Sequence, residues 1–192
     1  MFVTARSLMV LFDAAYLLAL AAWVGSILFF SFGVAPLIFR VLGAEAGGRF
    51  VRALFPRYYA WGATSAAIAL PAYVGVPLCY PEYRGPLVGV QAILILASIL
   101  IMLYAGNVLT LAINAARDAG PAQEARFRRL HRRSVWLNGI VLVFGLVLLV
   151  AHATRPPPRT AGILEMTPVE RARHEAEIIS RPRPPAAIPA RR

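Results

Sequence analysis

Long apolar runs separated by short polar connectors dominate the chain. Each run is nearly free of charge, and a bilayer core needs about 20 apolar residues in a helix that rises 1.5 Å per residue. Each run therefore predicts a membrane-spanning helix. The predicted spans cover about residues 10–35, 58–80, 87–112 and 134–154.

The pattern predicts an all-α integral membrane fold, a four-transmembrane-helix bundle formed by residues 1–154. Between the first two spans, Gly43–Pro56 predicts a short helix with phenylalanines and leucine on one face and arginines on the other. Such a helix either lies in the membrane interface or packs on the bundle, and both possibilities stay open.

Residues 155–192 form a proline- and arginine-rich C-terminal tail. Because the tail has no long apolar run, we expect most of it to be disordered. Within it, Thr167-Pro168-Val169-Glu170 has the pattern of a capping box and predicts a short helix that ends near Ile179.

Composition agrees with a membrane protein, since 59% of the residues are hydrophobic and 15% are charged. Soluble domains have about a quarter charged residues. All twenty basic residues are arginine, which indicates a GC-rich bacterial source. The net charge of +11 is concentrated at the ends of the apolar runs and in the tail, so anionic lipid head groups rather than nucleic acid are the expected counterpart.

The distribution of arginine predicts the orientation. Connector 40–57 holds four arginines and connector 117–133 holds six, whereas Arg84 is the only one in the second connector. The positive-inside rule places the two basic connectors in the cytoplasm and both termini outside a bacterial inner membrane. The predicted lipid-head-group anchors are Arg126, Arg128, Arg129, Arg132 and Arg133.

Several polar residues inside the spans are expected to meet at the cytoplasmic end, with Arg57 and His131 at the rim. One interpretation is a pocket for a small solute, an ion or a lipid head group. The other is a set of hydrogen bonds between helices, each worth about 0.6–2 kcal/mol. The candidate cluster consists of Asn107, Thr110, Asn114, Asn138, Ser134, Thr64, Ser65 and Ser31.

Asp13 is the only acidic residue near a span and is the candidate intramembrane acid. Acids inside membranes often mark functional sites. Asp13 lies close to the predicted outer surface, so it has either a structural or solvated role or a role in relaying a proton or cation.

No metal site, cofactor or catalytic residue is predicted. The chain shows no nucleophile–base pair, phosphate-binding loop or pair of carboxylates, which favours a non-enzymatic protein. His131 and His152 are about 31 Å apart by helical rise and cannot share one ion. The single cysteine, Cys79, excludes an internal disulfide.

Three segments resemble bacterial members of the transmembrane protein 205-like family: WVGSILFFSFGVAPLIFR at 23–40, AGGRFVRALFPRYY at 46–59 and FRRLHRRSVWLN at 127–138. The resemblance implies a four-helix membrane domain without an established biochemical function, and it supplies no active site. A weaker similarity to copper-resistance and haem-pathway four-helix proteins is opposed by the lack of histidines in the first three spans.

The sequence thus favours a non-enzymatic accessory or structural membrane component, whose partners are the lipid bilayer and, as one option, further copies of the chain. The alternative is a small transporter or permeation unit that uses the cytoplasmic-side polar cluster. A third hypothesis is a haem- or metal-binding membrane subunit.

Overall fold

The structure, a computed structural model, describes residues 5–155, 169, 172 and 173. The chain divides into two compact units, Met1–Arg155 and Pro156–Arg192. In the second unit the three described residues are helical. The predicted disorder of the tail and the bounds of its predicted helix lie outside the described residues.

Helices make up almost all of the described chain, which confirms the all-α prediction. Two π-helical segments interrupt the α-helices, and 3₁₀ turns at Pro81–Tyr83 and Gly120–Gln123 connect them. In chain order the other elements are α1 (Ala5–Leu28), the first π segment (Phe29–Val34), α2 (Ala35–Cys79), α3 (Pro86–Tyr104), the second π segment (Ala105–Leu109), α4 (Thr110–Asp118) and α5 (Glu124–Ala153).

The chain reverses direction at Gly43, inside α2. Gly43 has φ 70° and ψ 179°, a backbone conformation that glycine adopts without the steric cost of a Cβ. The two arms beside it pack antiparallel. A Cβ built on Gly47 would lie 3.0 Å from Phe39, and farther out the rings of Tyr16 and Tyr73 are 5.5 Å apart.

Three helical stretches of the described chain are long and apolar enough to cross a membrane: Ser7–Cys79, Pro86–Asp118 and Gly120–Ala153. Length and composition thus indicate a membrane protein. Many large apolar side chains on the outer faces are exposed, including Leu18, Phe32 and Trp136, as lipid-facing residues would be. The predicted count of four crossings stays a prediction.

The expectation of a separate helix at Gly43–Pro56 is wrong. After the bend at Gly43, α2 continues through Pro56 to Cys79 without a second break. Proline removes one backbone donor, but neighbouring helices and local adjustments can compensate for that loss in apolar surroundings. Pro56 therefore lies inside a helix and does not end one.

The helices that contain the last two predicted spans are longer than those spans. The helical stretch that contains the third predicted span extends to Asp118. Helix α5, which contains the fourth predicted span, begins at Glu124, ten residues before Ser134. Arginine is a good helix former, so the basic segment continues the apolar helix instead of forming a loop.

Small residues on α2 let α1 pack closely against it. Tyr16, Leu20 and Trp23 of α1 are almost completely buried in a core that also contains alanines of α2 spaced three residues apart. These alanines are Ala63, Ala66, Ala69 and Ala72.

Glycine positions bring other helices equally close. A Cβ on Gly106 would lie 2.9 Å from Cβ of Tyr59, and one on Gly145 would lie 2.5 Å from Val24. Gly62 likewise faces Met102. At Gly25 and Gly139, by contrast, no other helix of the described chain lies within 4 Å of an added Cβ.

Candidate functional site

A cavity of about 560 Å³ lies at the end of the first unit that holds the Gly43 bend and the α4–α5 connector. We call this end of the unit the arginine-rich end, because it carries Arg40, Arg49, Arg52 and Arg117. We call this cavity the main pocket. Residues of the first π segment, both arms of the Gly43 hairpin, α4 and α5 line it. Five of the eight residues predicted to cluster lie in its wall: Ser31, Thr110, Asn114, Ser134 and Asn138.

Asn107, Thr64 and Ser65 do not line the main pocket. Asn107 is exposed and donates a hydrogen bond to the Leu103 carbonyl of its own helix, at 2.9 Å. It lies in the second π segment, whose extra residue rotates the preceding positions by about 100° relative to an α-helix. Asn107 therefore leaves the face shared by Thr110 and Asn114.

The other two residues lie on α2. Thr64 is exposed, while Ser65 is buried away from the main pocket. Arg57, predicted at the rim, is also outside the pocket wall and donates to the Ala53 carbonyl one turn earlier. His131, the other predicted rim residue, does line the pocket.

Two adjacent tyrosines of α2 form hydrogen bonds with side chains of α5. The Tyr58 hydroxyl donates to Oδ1 of Asn138 at 2.8 Å, and the Tyr59 hydroxyl shares a hydrogen bond of 2.8 Å with Oγ of Ser134. Tyr59 and Ser134 are buried. The sequence places these tyrosines at the start of the second predicted span, and nothing in it indicates their hydroxyl partners.

Both π segments lie beside the main pocket. The first contributes Phe30 and Ser31 to its wall, and the second ends at Leu109, directly before the pocket residue Thr110. The Thr110 hydroxyl donates to the Ala105 carbonyl at 2.7 Å, which satisfies this buried side chain. Such π turns often occur at functional sites, because they change which side chains face a cavity.

The mouth of the main pocket is cationic and aromatic. The Arg117 guanidinium lies 5.8 Å from the centre of the Phe127 ring, and the His131 ring stacks on the same phenylalanine at 5.9 Å. Gly48 provides the space for this arginine, since a Cβ there would overlap the guanidinium. No sequence pattern marks Arg117 and Phe127 as site residues.

A second, more open cavity of about 640 Å³ adjoins the mouth. Its walls share Gly48, Arg52 and Arg117 with the main pocket. Arg52 makes a bidentate salt bridge with Asp118 at 2.6 and 3.1 Å. This cavity, the polar cavity, contains Glu45, Gly48, Arg49, Arg52, Arg117 and Asp118 in its wall.

The five predicted lipid anchors all project from the first part of α5 and are exposed. Arg128 pairs with Glu124 at 3.2 Å, and Arg133 lies 5.2 Å from the centre of the Tyr104 ring. Their exposure suits contact with head groups, because surface ion pairs of this kind hold an arginine only weakly.

Asp13 lies at the opposite end of the first unit, where it forms a bidentate salt bridge with Arg155 at 2.6 and 3.1 Å. The same guanidinium lies 4.7 Å from the centre of the Tyr83 ring. Burial raises the pKa of the Tyr83 hydroxyl, while Arg155 acts in the opposite direction. The contacts connect the beginning of α1, the 3₁₀ turn and the end of α5.

Within the described part of the chain, no group of three histidine, cysteine, aspartate or glutamate residues is close enough to hold a metal ion. The groups that the main pocket offers are apolar walls, neutral hydrogen-bonding side chains and a guanidinium at its mouth. They suit reversible binding of an amphipathic molecule, and a volume of this size is typical of ligand pockets.

Fold and site together define an all-helical protein with three apolar helical stretches long enough to cross a membrane. The chain belongs to the family described as Domain of unknown function (DUF4149), whose model matches residues 18–122. This match includes the pocket residues of the first π segment, the hairpin and α4, and it ends before α5. No curated protein and no solved structure matches the chain.

We expect Asn138→Ala to lower the unfolding free energy by about 1 kcal/mol, because the half-buried Tyr58 hydroxyl loses its acceptor. Thermal unfolding of the purified protein in detergent would show a decrease of about 2–4 °C. Asn107→Ala is the matched control and should unfold like the wild type, since its amide bonds only within its own helix. Equal effects of the two changes would contradict this assignment.

Proposed function

We propose that this protein is a non-enzymatic accessory component of a bacterial inner membrane that binds a small amphipathic ligand in the main pocket. The observation that carries the proposal is the convergence of five polar residues, from three separate parts of the chain, on one cavity with mostly apolar walls. Pockets with a few convergent polar groups in an apolar lining are the usual form of small-molecule sites.

The hydrogen bonds around the pocket support a binding role beyond helix packing alone. Tyr58 and Tyr59 already bond to α5, and Thr110 bonds within its own helix. Asn114 and His131 line the cavity without a hydrogen bond to any other described residue. Polar groups in that state are available to a ligand.

Four membrane crossings are the arrangement that we infer for the first unit. The 73 residues from Ser7 to Cys79 would extend about 110 Å as one straight helix, whereas a bilayer core is about 30 Å thick. The reversal at Gly43 divides this stretch into two antiparallel arms, each long enough to cross. The proposed count agrees with the fold expected for the transmembrane protein 205-like family, to which we propose the chain is related.

The arginine distribution supports a cytoplasmic location for the arginine-rich end and an external location for both termini. The Gly43 bend, the end of α4 and the start of α5 carry most of the arginines of the first unit. The opposite end contains the Asp13–Arg155 pair and the 3₁₀ turn at Pro81–Tyr83.

Cys79 provides a direct test of this orientation, because it is the single cysteine, is exposed and ends α2 opposite the arginine-rich end. In intact bacterial cells with a permeabilised outer membrane, a membrane-impermeant maleimide should label Cys79 without cell lysis. A Cys79→Ser variant is the control for labelling. Labelling that requires lysis of the inner membrane would reverse the proposed orientation.

Asn114→Trp should empty the main pocket of its ligand, because the indole would occupy the cavity beside Thr110. Overfilling a packed space costs about 1–3 kcal/mol, which corresponds to a decrease in affinity of about 5- to 150-fold. Native mass spectrometry of the purified protein in detergent should show a bound small molecule on the wild type and little on the variant.

Leu111→Trp is the matched control for Asn114→Trp. Leu111 lies on the same helix, is 65% exposed and is not part of the pocket wall, so this variant should keep the bound molecule. The binding proposal fails if Asn114→Trp retains the ligand as well as Leu111→Trp does.

A further inference from the structure

The charges around the polar cavity leave one arginine without a carboxylate partner. Its wall contains three arginines and two carboxylates. Arg49 pairs with Glu45 at 2.5 Å, and Arg52 pairs with Asp118 at 2.6 Å. Among the described residues Arg117 makes no salt bridge, and its guanidinium lies over the face of the Phe127 ring.

Arg117 lies at the boundary between the two cavities, since it belongs to the walls of both. On one side the wall consists of charged residues, and on the other it contains Phe30, Ile38, Val51, Phe55, Ile113 and Val135. An unpaired guanidinium at such a boundary matches a molecule with an anionic group between a polar part and an apolar chain.

The position of the main pocket along α5 also fits such a molecule. Its wall residues on α5 extend from Phe127, in the basic part of the helix, to Asn138, one turn into the apolar part. That interval corresponds to about 16 Å of helix. The pocket therefore reaches from the expected level of lipid head groups toward the apolar core of the bilayer.

We propose that the two adjoining cavities form a binding site for one anionic phospholipid. Its phosphate lies at Arg117, its head group occupies the polar cavity and one acyl chain enters the main pocket. This proposal rests on the proposed function, because it names the ligand class of the same pocket. Asn114, one turn before Arg117 on α4, and His131 are the further donors at the phosphate position.

Gly48 is the residue that makes the phosphate position possible. It is buried, and any side chain there would displace the Arg117 guanidinium. Alanine is a better helix former than glycine, so Gly48→Ala should move the arginine without weakening α2. The Gly48→Ala variant keeps the charge of Arg117 but moves its guanidinium, so it tests whether the position of that charge matters.

The test is a titration of the purified full-length protein in detergent with phosphatidylglycerol or phosphatidylcholine, followed by native mass spectrometry. The wild type should bind phosphatidylglycerol more tightly. Arg117→Gln should weaken the binding of phosphatidylglycerol about fivefold and change that of phosphatidylcholine little, since an arginine near anionic lipid contributes about that factor. Gly48→Ala should weaken phosphatidylglycerol binding in the same direction.

Arg40→Gln is the matched control, because it removes the same charge from an exposed arginine of the same end that lines neither cavity. It should bind both lipids like the wild type. Equal binding of phosphatidylglycerol by Arg117→Gln and Arg40→Gln would overturn the lipid assignment. Displacement of the bound lipid by excess inorganic phosphate would also overturn it, since the site would then recognise a free anion.

The variants Asn114→Trp and Arg117→Gln distinguish a failure of the lipid proposal from a failure of the proposed function. If Asn114→Trp loses both lipids while Arg117→Gln keeps the preference of the wild type, the pocket binds an amphipathic ligand but Arg117 does not select an anionic one. If Asn114→Trp binds both lipids like the wild type, the main pocket is not the site and both proposals fail.

Discussion

A polar group in apolar surroundings is costly unless it is hydrogen-bonded, and two adjacent tyrosines provide such bonds for Asn138 and Ser134. Tyr58 and Tyr59 follow each other on α2, yet their hydroxyls reach Asn138 and Ser134 of α5, one turn apart. The two hydrogen bonds fix the position of α5 against α2. Arg117 and His131 lie at the mouth of the main pocket, where each contacts the Phe127 ring.

Much of the fold follows from hydrophobic patterning. The apolar runs correspond to helices, and the arginine-rich connectors lie together at one end, because charged residues cannot be buried in a bilayer core. Periodicity could not predict the continuation of α2 through Pro56, since a proline ends most helices in water. The basic segment before Ser134 has no apolar pattern, and for that reason the beginning of α5 at Glu124 was not predictable either.

The candidate site was predictable in part, and the second π segment explains why Asn107 is not in it. Thr110 and Asn114 line the main pocket as their spacing indicates, whereas the extra residue of the second π segment turns Asn107 outward. No residue pattern marks that segment. The pairing of Asp13 with Arg155 joins residues 142 positions apart, and such a contact depends on tertiary structure that local patterns do not contain.

A density map of the protein in nanodiscs of phosphatidylglycerol would test the account most directly, since it would show whether the main pocket is occupied. The account predicts elongated density between Phe55 and Val135 that ends in a phosphate feature at Arg117. A main pocket filled by its own side chains, with Arg117 bound to a carboxylate of the protein, would contradict it.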